Sequence, residues 1–118
     1  MIDLKHKKLD VWKIAIELTS EIYKLTSKFP ANGKYGLVSQ LRRAAVSISS
    51  NSAEGAARSS PKERRRFHEI ARSFLVEIDT QLEISSNLKF TTDNQIPNLD
   101  DKKNHLFAIL SNLIRKTK

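Results

Sequence analysis

A chain of 118 residues suffices for one domain with a buried core and is too short for two, so residues 1–118 are expected to form a single unit. Charged residues make up 29% and apolar residues 39%, a soluble globular composition in which no apolar run approaches the roughly 20 residues of a membrane-spanning helix. Cysteine is absent, which excludes disulfides, thiol nucleophiles and thiolate metal sites, while a formal charge of +8 favours a polyanionic partner.

The N-terminal stretch MIDLKHKKLDVW carries lysines but no apolar signal region, so the expected location is cytoplasmic. Val11, Ala15, Leu18, Ile22, Leu25 and Phe29 then step alternately by four and three, which predicts a helix over residues 9–28 with these side chains on one face. Trp12, Ile16 and Tyr23 form a second apolar row beside the first. Such a face is wider than one helix seam and suits a bundle interior or an oligomer contact. Pro30 disfavours an α conformation at Phe29 and ends the helix, and Ala31, Asn32, Gly33 and Lys34 read as a turn.

A second helix is predicted over 35–57, with Leu37, Leu41, Ala44, Ile48, Asn51 and Gly55 in its row. Small residues fill most of its remaining positions, so neighbouring helices can approach closely and this helix is expected to be the central one. Gly55 weakens the helix and marks either a close crossing or the approach of the helix end. Asn51 and Glu54 fall near the seam. Without a partner acid, metal ligand or pocket signal they read as structural polar residues, Asn51 bonding a helix terminus and Glu54 pairing with Arg58 or a neighbouring arginine.

Ser60, Pro61 and Glu63 combine an N-cap, a first-turn proline and a capping box, which opens a third and longest helix over 61–88. Phe67, Ala71, Phe74 and Ile78 are its expected row, flanked by Ile70, Leu75 and Leu82. The polar run from Thr91 to Pro97 breaks the period, and a fourth helix over 98–116 carries Leu99, Leu106, Ile109, Leu110, Leu113 and Ile114. No strand signal or internal repeat is present, so the predicted fold is all-α, an antiparallel up-down-up-down four-helix bundle.

Catalytic and cofactor motifs are missing. The glycines at 33, 36 and 55 fit no phosphate-binding loop, and His6, His68 and His105 lack helical metal-ligand spacing and read as solvated or partly packed. No metal, no cofactor and no enzymatic activity are expected. The charge is distributed unevenly instead: six cations face two carboxylates from Arg58 to Arg72, and five carboxylates face Lys89 alone from Phe74 to Asp100. This separation also lets copies of the chain attract one another. The candidate nucleic-acid ligands are Arg42, Arg43, Arg58, Lys62, Arg64, Arg65, Arg66 and Arg72, because guanidinium forks match phosphate oxygens. Within that set Glu69 is placed to bridge Arg65 and Arg72. Aromatics are few, so recognition by base stacking is not expected.

The pattern Y-G-L-x-S-Q-x-R-R-A-A-x-S-I from Tyr35, followed by Asn51, Ala53, Glu54, Gly55, Arg58, Ser59 and Ser60, resembles the four-helix proteins encoded within intervening sequences of bacterial large-subunit ribosomal RNA genes. Leu9, Val11, Trp12, Phe29-Pro30, Glu63, Phe67 and the run Glu77, Thr80, Gln81, Leu82 extend the similarity over nearly the whole chain; Ser52 departs from it, where an apolar residue is usual. The resemblance implies a homopentameric bundle around a basic channel, binding nucleic acid, RNA in the first place. It further implies similarity to the accessory proteins of diversity-generating retroelements, and so an alternative role as a scaffold for a partner enzyme such as a reverse transcriptase.

Overall fold

The computed structural model describes residues 9–31, 34–91 and 97–117. Four helices, α1 (Asp10–Thr26), α2 (Ser39–Ala57), α3 (Pro61–Asn87) and α4 (Pro97–Lys116), dominate them, and no strand occurs among the described residues. His6, the turn residues Asn32 and Gly33, and residues 92–96 lie outside the described set. Each helix packs against its neighbour in sequence, and α1 also packs against α4, so the four close a square around one core. Consecutive helices run in opposite senses. The Thr19 hydroxyl reaches the Ala45 carbonyl and Thr26 meets Arg42; Arg43 meets Glu77 and Gly55 meets Phe67; Arg72 meets Ser111 and Asp79 meets Lys103.

The core on α1 follows the predicted stripe from Val11 to Phe29, all at most 5% exposed. On α2 the row is Leu41, Ala44, Ala45, Ile48, Ser52 and Gly55, so Ser52 takes the buried place expected for Asn51. The 3.6-residue turn makes either position available after Ile48, and the smaller side chain fits the narrow seam. Nor is α2 enclosed: it packs on α1 and α3 while Arg43, Val46 and Ser50 point outward. On α3 the buried row is His68, Ala71, Leu75, Ile78 and Leu82, with Phe67 and Phe74 half-buried at its edge. A buried lysine, Lys103, stands in the α4 row between Leu99 and Leu106.

Helix ends differ from expectation for local reasons. α1 stops at Thr26 because the amides of Lys28 and Phe29 bond three residues back, to Leu25 and Thr26, and this tightened turn swings the Phe29 ring into the core 5.8 Å from Phe90. The predicted start of the second helix is a π-helical turn, Lys34–Val38, which widens the coil before α2 proper. α3 opens as predicted, with the Ser60 hydroxyl accepting from the Glu63 amide at 3.3 Å. It closes in a Schellman turn: the amides of Phe90 and Lys89 bond the carbonyls of Ser85 and Ser86. The left-handed residue in that turn is Lys89 at φ 61°, where glycine is usual. Lys89→Gly is therefore expected to stabilise the protein by about 1 kcal/mol, measured by urea denaturation, because it relieves the left-handed strain of a residue with a Cβ.

The Ser52 hydroxyl is buried without a hydrogen-bond partner. Removing an unsatisfied buried group while improving helix propensity favours Ser52→Ala, expected to raise stability by about 1 kcal/mol in the same assay. No helix among the described residues is long and apolar enough to cross a membrane.

Candidate nucleic-acid interface

The square of alternating helices decides which cations meet. Arg43 is level with Glu77, whereas Arg58 and Arg64 stand at the α2–α3 turn, so the two groups are separated by about 22 Å along α2 at 1.5 Å per residue. The eight expected cations therefore do not form one patch. Arg42 and Arg43 belong to one end of the bundle, and Arg58, Lys62, Arg64, Arg65 and Arg66 to the other.

At the first end Arg42 is partly committed to the fold. Its Nε donates to Thr26 Oγ1 at 2.9 Å, its Nη2 to the Tyr23 carbonyl at 3.4 Å, and its guanidinium lies 4.4 Å from the Tyr23 ring centroid. A cation on the last carbonyls of α1 also complements the helix dipole. Arg43 makes an exposed 3.4 Å ion pair with Glu77, which in turn accepts from the buried Gln81 amide at 3.0 Å. Tyr23, Arg42 and Arg43, together with Val38, Ser39, Val46 and Ser47, line an open groove of about 540 Å³.

The second end is more heavily cationic. Arg58 pairs with Glu54 at 3.3 Å, as its spacing predicts, and stacks over Phe67; Arg65 pairs with Glu69 at 3.6 Å. Glu69 does not bridge to Arg72, which instead donates to Ser111 Oγ at 3.1 Å and lies over Phe107, because α4 draws it sideways. Asn51 bonds the Ser47 carbonyl within its own helix rather than a helix terminus. Arg64 donates to the carbonyls of Ser59 at 2.8 Å and Arg58 at 3.3 Å, so it ties the turn together. Lys62 and Arg66 are exposed and have no partner among the described residues. Exposed ion pairs such as those of Arg58 and Arg65 contribute about 0–1 kcal/mol and exchange readily for a phosphate.

Two cations missed in the sequence join this end. Arg72 meets Ser111, and from there α3 runs back to Arg66 while α4 runs on to Arg115 and Lys116. The chain separates these groups by about fifty residues, so only the antiparallel α3–α4 pairing brings them together. Trp12, Ile16 and Tyr23 lie beside the buried stripe of α1: Trp12 is half-buried, and Ile16 and Tyr23 are each 41% exposed.

His68 is the unexpected buried group. It sits beneath the α2–α3 turn with Nδ1 unpartnered, and burial first, then the nearby Arg64 charge, lowers its pKa from the ordinary value. The unfolded chain then binds the proton more readily than the folded one. Stability from this group is fully present above the ordinary value of about 6.5 and is lost as pH falls from there through the folded pKa. Urea denaturation between pH 7.5 and 5.5 is expected to show that decline, and His68→Leu to flatten it.

Lys103 behaves oppositely. Burial alone disfavours its charge, but hydrogen bonds to Asp100 at 2.8 Å and Asp79 at 2.7 Å outweigh that and raise its pKa. Among the described residues no three His, Asp or Glu side chains cluster as metal ligands.

The sequence model of a family described as 23S rRNA-intervening sequence protein matches residues 7–112. No curated protein sequence matches the chain.

Proposed function

The chain belongs to the 23S rRNA-intervening sequence protein family, and from that premise we propose that it is a non-catalytic, homo-oligomeric protein that binds RNA through the cationic end of its bundle. The observation that carries this reading is the convergence of Arg58, Lys62, Arg65 and Arg66 with Arg115 and Lys116 at one end, three of them, Lys62, Arg66 and Lys116, without any partner among the described residues. The family's name supplies the link to ribosomal RNA. The ring of five copies rests on the resemblance, with Ile16 and Tyr23 as exposed contact residues on α1.

Binding of this kind is mainly electrostatic, since each neutralised phosphate releases counterions. Fluorescence anisotropy of a structured RNA across a salt series tests it. Log affinity should fall linearly with log salt; absence of binding at low salt, or an affinity indifferent to salt, would remove the reading. The same cations address duplex DNA phosphates, so DNA in a parallel titration measures the preference for RNA.

A further inference from the structure

Three aromatic rings are each covered by an arginine: Arg42 lies 4.4 Å from the Tyr23 ring centroid, Arg58 5.1 Å from that of Phe67, and Arg72 5.7 Å from that of Phe107. Two of the three are committed elsewhere. Arg42 donates to Thr26 and to the Tyr23 carbonyl at the end remote from the cationic cluster, and Arg72 is drawn to Ser111. Arg58 stands within the cluster, at the α2–α3 turn beside Lys62 and Arg66, which have no partner among the described residues. We infer that the Arg58–Phe67 pair is a stacking platform for an unpaired nucleobase of the bound RNA. The inference rests on the RNA-binding reading and deepens it, because it names the part of the RNA that this end takes.

The α2–α3 crossing builds the platform. A Cβ at Gly55 would stand 3.0 Å from that of Phe67, so the missing side chain is what lets α3 bring this ring up to the end of α2. Arg58 follows as the α2 C-cap in extended conformation, with its guanidinium over the ring. Glu54 accepts from Nη2 at 3.3 Å and holds the group from the side. Phe67 therefore covers one face of the guanidinium, while the side chain remains 44% exposed. Its open face is a flat, weakly hydrated cation already fixed in place, on which a base stacks at little cost in side-chain entropy. The N–H groups not taken by Glu54 stay available to an adjoining phosphate.

The neighbouring cations hold the strand that carries the base. Lys62 and Arg66 are one turn apart on α3, about 6 Å along its axis, a step that suits successive phosphates of one strand. Phe67 follows Arg66 directly, so a strand held by these two cations passes the platform. Duplex RNA cannot use it. Bases within a duplex are stacked on one another, whereas a loop, bulge or single-stranded end offers a free face to aromatic rings and guanidinium planes. The plane that meets the base belongs to arginine, so a low aromatic content is no measure of the stacking that this end can perform.

Two hairpin RNAs test the platform, one with an intact loop and one whose loop nucleotides are abasic; they carry the same phosphates and differ only in the loop bases. The protein is expected to bind the intact loop at least roughly fivefold more tightly, as one stacked base contributes. Arg58→Lys keeps the charge and the pairing with Glu54 but has no plane. This variant, at an exposed position and with folding checked by circular dichroism, should bind both hairpins with the wild-type affinity for the abasic one and with an unchanged salt slope. Equal wild-type affinity for the two hairpins, or an Arg58→Lys variant that keeps the preference, would overturn the inference and leave electrostatic RNA binding standing. Absence of binding to either hairpin at low salt would remove the RNA reading itself, and the platform with it.

Discussion

Replacing Lys62, Arg65 and Arg66 together by alanine is expected to weaken RNA binding by at least roughly tenfold near 0.1 M salt and to flatten the slope of log affinity against log salt by about 2, at 0.7–0.9 per phosphate contact. These three are chosen because none supports the fold: Lys62 and Arg66 have no partner among the described residues, and Arg65 has only an exposed pair with Glu69. The loss should be similar for different RNA sequences, since phosphate contacts carry no sequence information. Melting temperature and assembly mass should stay unchanged. A triple variant with unaltered affinity and slope would make the cluster a solvated face and give precedence to a protein-scaffold role. Arg64→Ala serves as the contrast: it removes two hydrogen bonds to the carbonyls of the α2–α3 turn and should lower stability as well as affinity.

Gly55→Val is expected to be the most damaging single substitution, costing about 3 kcal/mol and lowering Tm by roughly 10 °C. A Cβ at Gly55 would stand 3.0 Å from the Phe67 Cβ and 3.8 Å from the His68 ring. The Phe67 Cβ is fixed to the α3 backbone, so relief requires the two helices to separate rather than a side chain to rotate. Valine adds two methyl groups to that collision and a branched Cβ that helices tolerate less well. Gly55→Ala should lose less, because its gain of about 1 kcal/mol in helix propensity offsets part of the contact. Thermal denaturation followed at 222 nm measures both. Equal stability of the valine variant and the wild type would mean that the α2–α3 crossing is looser than the structure has it.

Local sequence was sufficient for four helices, the α1 stripe, the N-cap at Ser60 and the Glu54–Arg58 pair, because each depends on residues within a turn or two of one another. It was insufficient wherever two helices negotiate a position. The seam of α2 takes Ser52 rather than Asn51, and α3 buries His68 rather than Phe67, because the Gly55 crossing fixes how the two helices rotate against each other. The left-handed Lys89 escaped notice since no glycine marks it.

What the sequence by itself determined, then, is the composition of the surface and the number and amphipathic faces of the helices, properties set by periodicity along one chain segment. The membership of the basic site was decided by tertiary structure alone. Arg42 and Arg43 are close to Arg58 in sequence yet stand at the other end of the bundle, because a helix carries the chain 1.5 Å further with every residue. Arg115 and Lys116, remote in sequence, return to Arg66 because an antiparallel neighbour reverses that distance. Summed charge is indifferent to such reversals, whereas the field that meets a phosphate backbone depends on where the charges stand.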